Sequence, residues 1–224
     1  MVQRLTEIRV KICGITREED VMAAVEAGAD AVGFINVPGG PRYLEPGRIV
    51  ELAALVPPFV SPVVVVDLTD PLDQGRAEAL RFLCSRGIRT VQFHGHEPAW
   101  EIGRLEGLFG FSAIKAFELK QERDLDLLEP FGDFVDAYLA DGGAGQGIAC
   151  DWALADRAAR QLKRPLILAG GLTPGNVGDA VRQVRPYGVD VSSGVEEAPG
   201  IKDPERIRAF IHAARQERAS CSPQ

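Results

Sequence analysis

Short runs of β-branched and apolar residues alternate along the chain with longer segments of helical periodicity, and this alternation constrains the fold more than any other feature. The helical segments include REEDVMAAVEAGA, GRAEALRFLCSRG and PERIRAFIHAARQ. Strands that are joined by single helices are typical of right-handed βαβ units, whose strands form a parallel sheet. The eight strand candidates are IRVKIC, DAVGFI, PVVVVD, IRTVQF, FSAIKAF, DAYLAD, PLILAG and GVDVSS.

The number of units and the chain length together favour a closed barrel. Eight strand–helix units within 224 residues fit an α/β fold of the single-domain (β/α)8 TIM barrel type, which typically occupies about 250 residues. An open, doubly wound Rossmann-like sheet more often has about five or six strands and is the second interpretation. The predicted barrel domain covers residues 1–216, and the polar segment 217–224 is predicted to be a C-terminal tail.

Composition and charge exclude several classes of function. Hydrophobic residues make up 46% of the chain and charged residues 25%, values typical of a soluble globular protein. The formal net charge of -7 argues against a nucleic-acid partner, because binding to a phosphate backbone normally requires a basic surface. No apolar stretch approaches the ~18 residues of a membrane span, and the N-terminus MVQRLTEIRV lacks the apolar segment of a signal peptide. We therefore expect a cytoplasmic protein without a membrane partner.

The cysteines do not have the spacing of a metal site or of a disulfide framework. Cys13, Cys84, Cys150 and Cys221 form no CxxC pair. Free thiols in a reducing compartment are the expected state. Cys84 and Cys150 are interpreted as packing residues.

Strand parity places polar side chains inside the predicted barrel, because successive side chains of a strand point to opposite faces. In IRVKIC the apolar residues that alternate from position 8 should meet the helices. The other face should line the lumen, with Cys13 at its carboxyl end, where barrel enzymes place their chemistry. Buried charges need partners, so Lys11 and Lys115 are expected to pair with Asp190 or Asp141. The same parity predicts these lumen residues on other strands: Thr90, Gln92, His94, Asp190 and Ser192.

Glycine-rich loops suited to a phosphate group follow the seventh and eighth strands. LAGGLTPGNV (168–177) indicates a strand, a Gly-Gly turn and a helix start, with Thr173 as N-cap and Pro174 at the first helical position. Glycines and a helix N-terminus present backbone N–H groups to an anion, and these two loops often form the phosphate site of a barrel. Either loop alone is also compatible with a simple tight βα turn. The candidate phosphate-binding residues are Gly170, Gly171, Asn176, Ser192, Ser193 and Gly194.

Six motifs follow one another in an order that is similar to one known family: VKICGIT, ADAVGFI, PRYL, VQFHG, ILAGGLTPGNV and VDVSSGVEEAPGIKD. Together they resemble the phosphoribosylanthranilate isomerases of tryptophan biosynthesis, over nearly the whole chain. The resemblance implies a (β/α)8 barrel that converts N-(5-phosphoribosyl)anthranilate to 1-(2-carboxyphenylamino)-1-deoxyribulose 5-phosphate by general acid/base catalysis. It implies an Amadori rearrangement that needs no metal and no organic cofactor. The expected partner is a small phosphorylated substrate, and the expected state is a monomer or a homodimer.

The resemblance also implies roles for individual residues. The general base falls on Cys13 of KICG, and the general acid falls on Asp141, which ends the sixth strand. Arg42 of PRY would hold the anthranilate end of the substrate, and His94 would lie near the substrate. Lys11, placed below Cys13, would favour its thiolate. Lys11 and Asp190 are further candidate substrate-binding residues.

Each of these residues also has a simpler interpretation. Cys13 would be an inert buried thiol, Asp141 would cap the turn in ADGGAG, and Arg42 would be a surface residue of a proline-rich loop. The rival acid Asp136 lies on the opposite strand face from Asp141, which favours Asp141. His94 and His96 would form a metal pair only on an uninterrupted strand, and the glycine between them argues against one.

Departures from the family affect the expected substrate range more than the reaction class. PGG precedes PRY, the third strand VVVVDLTD is unusual, and the glycine-rich loop 142–150, expected to close near the anthranilate, has unusual spacing. A related bifunctional isomerase that also accepts an intermediate of histidine biosynthesis would need aspartates at the ends of strands one and five, but Cys13 occupies the first position and IKAF offers no aspartate at the second. A metal-dependent epimerase would need a His/Asp cluster, which the sequence lacks. A non-catalytic or altered-specificity phosphosugar-binding paralogue is the main alternative.

Overall fold

The computed structural model of the protein describes residues 7–69, 74–143 and 150–220. A closed barrel of eight parallel strands forms its centre, with each strand paired to its neighbours in chain order and β1 paired to β8. The closed barrel is confirmed, and the open Rossmann-like sheet is excluded. The barrel strands are β1 (Arg9–Cys13), β2 (Ala31–Ile35), β3 (Ser61–Val66), β4 (Thr90–Phe93), β5 (Ser112–Glu118), β6 (Ala137–Asp141), β7 (Leu166–Leu168) and β8 (Gly188–Val191).

Helices connect the strands on the outside of the barrel. They are α1 (Glu18–Glu26), α2 (Pro46–Ala53), α3 (Gln74–Ser85), α4 (Ala99–Phe109), α5 (Trp152–Gln161), α6 (Val177–Val184) and α7 (Pro204–Ser220). A 3-10 helix, Glu122–Phe131, takes the place of an α-helix between β5 and β6. After β8 a short 3-10 turn leads into a small antiparallel hairpin, β9 (Glu196–Ala198) and β10 (Ile201–Lys202). None of the helices in the described ranges is long and apolar enough to cross a membrane.

Two apolar layers follow from strand parity. The apolar residues of β1, Val10 and Ile12, pack with the helices in the large outer core. A separate small cluster fills the lumen and consists of Val63, Ile114, Ala116, Ala137, Leu139, Ile167 and Ala169. The apolar lumen cluster lies on strands β3, β5, β6 and β7, whereas the lumen positions of β1 and β8 carry the charged Lys11 and Asp190. The parity assignment of β1 is therefore confirmed.

Two predicted boundaries differ from the structure. The helix after β7 begins at Val177 with Asn176 as its N-cap, so the assignment of Thr173 as N-cap and Pro174 as first helical residue was wrong. The Asn176 side chain accepts the Thr173 N–H at 2.8 Å, which stabilises a separate turn before the helix. The last helix, α7, continues to Ser220, so the boundary predicted at residue 216 falls within it; residues 221–224 lie outside the described residues.

Candidate active site

Lys11 and Asp190 form a buried ion pair beside Cys13 at the end of β1. The two residues are register partners across the β1–β8 pair, and Lys11 Nζ lies 2.9 Å from Asp190 Oδ1. Burial disfavours the Lys11 cation, but Asp190 and the Cys13 thiol raise the pKa of Lys11 to about 12. The prediction that Lys11 would find Asp190 is confirmed. The ammonium therefore stays charged directly below the thiol.

The Cys13 thiol is buried and lies in a mixed electrostatic environment. Burial raises its pKa, and the hydrogen bond and charge of Lys11 oppose that rise without cancelling it. Lys202 also lowers the pKa of Cys13, whereas Asp190 raises it. Lys11 thus favours the thiolate as expected, but the free site holds mainly the neutral thiol. The free thiols Cys84 and Cys150 are buried as well.

Asp141 and His94 lie close together at the same end of the barrel as Cys13. His94 Nε2 is 3.7 Å from Asp141 Oδ2, and Asp141 Oδ1 accepts the Gly143 N–H at 3.2 Å. His94 Nδ1 is 3.2 Å from the Gln92 amide nitrogen. Burial lowers the pKa of His94, while the Asp141 carboxylate opposes this shift. The imidazole near Asp141 is therefore predominantly neutral at neutral pH.

Asp136 lies at the opposite end of β6 and has a structural contact. Its carboxylate accepts the Ala113 N–H at 2.9 Å, and the residue is exposed. It is thus placed away from the lumen, whereas Asp141 is buried within it. Of the two aspartates, Asp141 is the one that lies near His94 and ends its strand at the same end of the barrel as Cys13.

Arg42 is held by a carboxylate that the sequence analysis did not single out. Its guanidinium makes two parallel hydrogen bonds to Glu196, from Nε at 2.7 Å and from Nη2 at 2.6 Å. Lys202 Nζ donates to the same carboxylate at 2.8 Å and to the Ser192 carbonyl oxygen at 3.1 Å. Burial would raise the pKa of Glu196, but the hydrogen bonds from the two cations lower it. The loop after β2 is thereby tied to the loop after β8.

The two glycine loops meet as predicted. A Cβ on Gly194 would lie 1.9 Å from the Leu172 carbonyl oxygen, so the loops after β7 and β8 are in backbone contact. Gly170 and Gly171 both have positive φ angles, 83° and 63°. The Asn176 amide is engaged within its own loop, because it donates to the Gly171 carbonyl oxygen at 3.0 Å and accepts from the Thr173 N–H. Asn176 therefore braces the loop.

Lys115 pairs with a different carboxylate from those predicted. Its Nζ lies 2.9 Å from Glu97 Oε2, so the expectation of Asp190 or Asp141 as its partner was wrong. Glu97 follows the end of β4, beyond the reach of strand parity, and its carboxylate also accepts the Leu68 N–H and the Gly95 N–H. The sequence signals that were available for Glu97, Glu196 and Lys202 were only the charged residues in HGHEP and GVEEAPGIKD.

The remaining predictions concern a metal and the glycine-rich loop. His96 is exposed and does not share the position of His94 in the lumen. In the described ranges no three His, Cys, Asp or Glu side chains come together as a group that could hold a metal ion. Residues 144–149 of the glycine-rich loop 142–150 lie outside the described residues.

Comparisons with known proteins agree on one family. Residues 10–213 match the family model described as N-(5'phosphoribosyl)anthranilate (PRA) isomerase. The N-(5'-phosphoribosyl)anthranilate isomerase of Chromohalobacter salexigens is 43% identical over 216 residues, covering 94% of this chain and 96% of that protein. The one from Dechloromonas aromatica is 44% identical over 215 residues, covering 93% and 96%.

Solved structures give the same result. A phosphoribosyl anthranilate isomerase in complex with reduced 1-(o-carboxyphenylamino)-1-deoxyribulose 5-phosphate is 38% identical, with a TM-score of 0.79, covering 92% of this chain and 98% of that chain. Monomeric forms of the dimeric enzyme from Thermotoga maritima are 36% identical, with a TM-score of 0.80 and the same coverage. The similarity therefore spans both the sequence and the barrel.

Proposed function

The chain belongs to the N-(5'-phosphoribosyl)anthranilate isomerase family, and on that premise we propose which of its residues carry out the reaction. The protein is an isomerase of tryptophan biosynthesis that converts N-(5-phosphoribosyl)anthranilate to 1-(2-carboxyphenylamino)-1-deoxyribulose 5-phosphate. In this Amadori rearrangement an acid protonates the furanose ring oxygen, and the ring opens to a Schiff base. A base then takes the proton from C2, which gives an enolamine that becomes the ketone. The reaction consumes no net proton.

Cys13 is the general base in this proposal. Its thiol ends β1 at the barrel mouth, and Lys11 directly below it stabilises the thiolate. The pKa of the thiol is raised in the free site, so removal of the C2 proton requires the thiolate that Lys11 and Lys202 favour.

Asp141 is the general acid. It is buried at the end of β6, a strand that does not neighbour β1 in the barrel, so an acid and a base can act from separate sides of one substrate. His94 is a titratable neighbour, with its Nε2 3.7 Å from Asp141 Oδ2. The arrangement of buried Cys13 and buried Asp141 at one barrel mouth is the observation that carries the proposal.

The substrate's two anionic ends are assigned to two regions. The loops after β7 and β8, with Gly171, Ser193 and Gly194, would hold the phosphate through backbone N–H groups. Arg42 would hold the anthranilate carboxylate with the donors that Glu196 leaves unused, because the pair to Glu196 takes only Nε and one hydrogen of Nη2.

Complementation and direct assay test this proposal. A tryptophan auxotroph that lacks the isomerase should grow without tryptophan when it carries this chain, but not when it carries the Asp141→Asn variant. Because substrate and product are isomers of equal mass, conversion by the purified protein is followed by chromatographic separation. Asp136→Asn, at the other end of β6, is the matched control and should complement. A chain that binds phosphate but leaves the substrate unconverted would instead be a phosphosugar-binding paralogue.

We also propose that the protein acts in the cytoplasm as a monomer or a homodimer. The buried thiols of Cys13, Cys84 and Cys150, which are free in the structure, support a reducing compartment. Sedimentation of the purified chain would measure its oligomeric state.

A further inference from the structure

Glu97 and Lys115 form a buried ion pair that no step of the proposed reaction uses. Glu97 is 1% exposed and Lys115 is 5% exposed. Lys115 lies in the middle of β5, level with the last residue of β4, and Glu97 lies in the loop after β4. Moving two charges out of water is costly, so a buried pair is weak evidence for stability by itself. Its contacts indicate a different use.

The pair holds the backbone of Gly95 through both of the peptide groups that flank it. Glu97 Oε1 accepts the Gly95 N–H at 3.2 Å, and Lys115 Nζ donates to the Gly95 carbonyl oxygen at 2.6 Å. Glu97 Oε1 also accepts the Leu68 N–H at 2.8 Å, which ties the Gly95 backbone to the segment after β3. The turn after β4 is therefore fixed by contacts from two neighbouring strands.

The fixed turn is the one that carries His94. The His94 N–H donates to the Val66 carbonyl oxygen at 2.9 Å. The next residue is Gly95, whose backbone is held by Glu97 and Lys115. The position has no space for a side chain, since a Cβ on Gly95 would lie 2.1 Å from Asp67 Oδ1 in the loop after β3. With the backbone held, the imidazole is directed toward Asp141 at 3.7 Å.

We propose that the Glu97–Lys115 pair is a positioning device that holds His94 against the proposed acid Asp141. The pair acts through the Gly95 backbone, and neither of its members needs to contact the substrate. This inference rests on the proposed function only in treating Asp141 as the general acid. The His94–Asp141 contact itself can be measured without substrate.

Several charged groups surround the imidazole, and the test must separate their effects. Asp141 from β6, Lys11 from β1, Asp190 from β8 and Lys115 from β5 all influence the pKa of His94. Removing Lys115 would change the pKa of His94 through the loss of its charge, even if the imidazole did not move. The discriminating quantity is therefore the coupling between His94 and Asp141, measured as the shift in the His94 titration when Asp141→Asn is introduced.

Nuclear magnetic resonance gives this quantity, because the chain has only 3 histidines. The His94 signal is assigned by its loss in His94→Gln. In the otherwise unchanged protein, Asp141→Asn should lower the pKa of His94, since the carboxylate opposes the lowering caused by burial. In Glu97→Asp, which keeps the charge but withdraws the carboxylate by one methylene, the same substitution should produce less than half of that shift.

A second background keeps the test decisive if Glu97→Asp folds poorly. Glu97→Gln/Lys115→Met removes both charges together, so no unpaired charge stays buried. Here too the shift should fall by more than half. The matched control is Glu101→Gln/Arg104→Met on α4, an exposed pair with hydrogen bonds of 2.8 and 2.6 Å, which also leaves the net charge unchanged. In that control the shift should equal the original one.

Catalysis provides a second measurement. With Asp141 intact, Glu97→Asp and Glu97→Gln/Lys115→Met should each lower kcat by about tenfold with little change in KM, since the phosphate loops are untouched. The proposal would be overturned if Asp141→Asn shifted the His94 pKa by the full amount in a folded variant of the Glu97–Lys115 pair. It would also be overturned if Asp141→Asn caused no shift in the unaltered protein. If the unaltered protein did not convert the substrate, the proposed function would fail. The titration would still decide whether the Glu97–Lys115 pair positions His94.

Discussion

Cys13 and Gly33 are register partners across β1 and β2, and a Cβ on Gly33 would lie 2.8 Å from Cys13 Sγ. It would also lie 3.1 Å from Lys11 Cε. The glycine thus provides the space in which the thiol and the lysine stem sit side by side. Gly33 belongs to ADAVGFI, where the sequence pattern shows only a glycine within a strand.

Gly33→Ala should reduce kcat/KM by at least about tenfold, because the added methyl must displace the thiol or the lysine stem. Overpacking of this kind costs about 1–3 kcal/mol of stability. Gly107→Ala is the control, since a Cβ there has no atom within 4 Å and the residue lies in α4. That change should be neutral or stabilise the fold by about 0.5–1 kcal/mol. Unchanged kinetics in folded Gly33→Ala would show that the thiol tolerates displacement.

Cys13→Ser should lower turnover by at least about a hundredfold, because a hydroxyl is too weakly acidic to serve as the base unaided. Affinity for the reduced product analogue, measured by calorimetry, should remain near that of the unaltered protein, since Arg42 and the glycine loops are unchanged. If the cysteine only fills space, serine should lower the melting temperature and leave the rate per folded molecule nearly unchanged. Full activity in the folded variant would remove Cys13 from the mechanism.

Asp141→Asn should remove most turnover, because a positioned proton donor typically contributes about 10²- to 10⁴-fold. Asp136→Asn should instead affect mainly stability, by about 1 kcal/mol, since it weakens the hydrogen bond that the carboxylate accepts from the Ala113 N–H. Steady-state kinetics and denaturant unfolding on both variants separate the two effects. The opposite ranking would identify Asp136, at the other end of β6, as the acid.

The pH dependence of kcat/KM should reflect the thiol. Burial raises the pKa of Cys13, so the thiolate fraction and the rate should increase with pH from neutral into the alkaline range. Lys11→Met should move this rise to higher pH, because Lys11 lowers the pKa of the thiol.

The same substitution leaves Asp190 buried without its partner and should cost about 3–5 kcal/mol of stability. Lys11→Met/Asp190→Asn should recover much of that loss while keeping a smaller alkaline displacement, because Asp190 acts on the thiol in the opposite sense. A profile that is unaltered in both variants would argue against a catalytic thiolate.

Gly194→Ala should weaken phosphate binding, because its Cβ would lie 1.9 Å from the Leu172 carbonyl oxygen and force the two loops apart. We expect KM to rise at least about tenfold and inhibition by inorganic phosphate to weaken in parallel. Crystals of the unaltered protein grown with phosphate should show the anion between Gly171 and Ser193–Gly194. Gly40→Ala, where a Cβ meets no atom within 4 Å, should leave both values unchanged. An anion bound only at surface lysines would refute the site.

The sequence by itself determined the barrel and the lumen face of its strands. Alternating strand and helix patterns predicted all eight barrel strands, and a side-chain period of two placed Lys11, Gln92 and Asp190 inside. Both are local properties, since backbone geometry alone decides which way successive side chains of a strand point. The pairing of Lys11 with Asp190 follows from the same parity once β1 and β8 are neighbours.

Only the tertiary structure decided the partners of charged residues in the loops. Beyond a strand end there is no fixed period, so nothing local indicated that Glu97 turns back to Lys115 or that Glu196 reaches Arg42. The start of α6 likewise depends on the Asn176 side chain, which accepts the Thr173 N–H and stabilises a turn before the helix. These contacts depend on how the closed barrel brings strand ends together. An unpaired buried charge is strongly destabilising, so each buried charge pairs with an opposite charge that the fold places within reach.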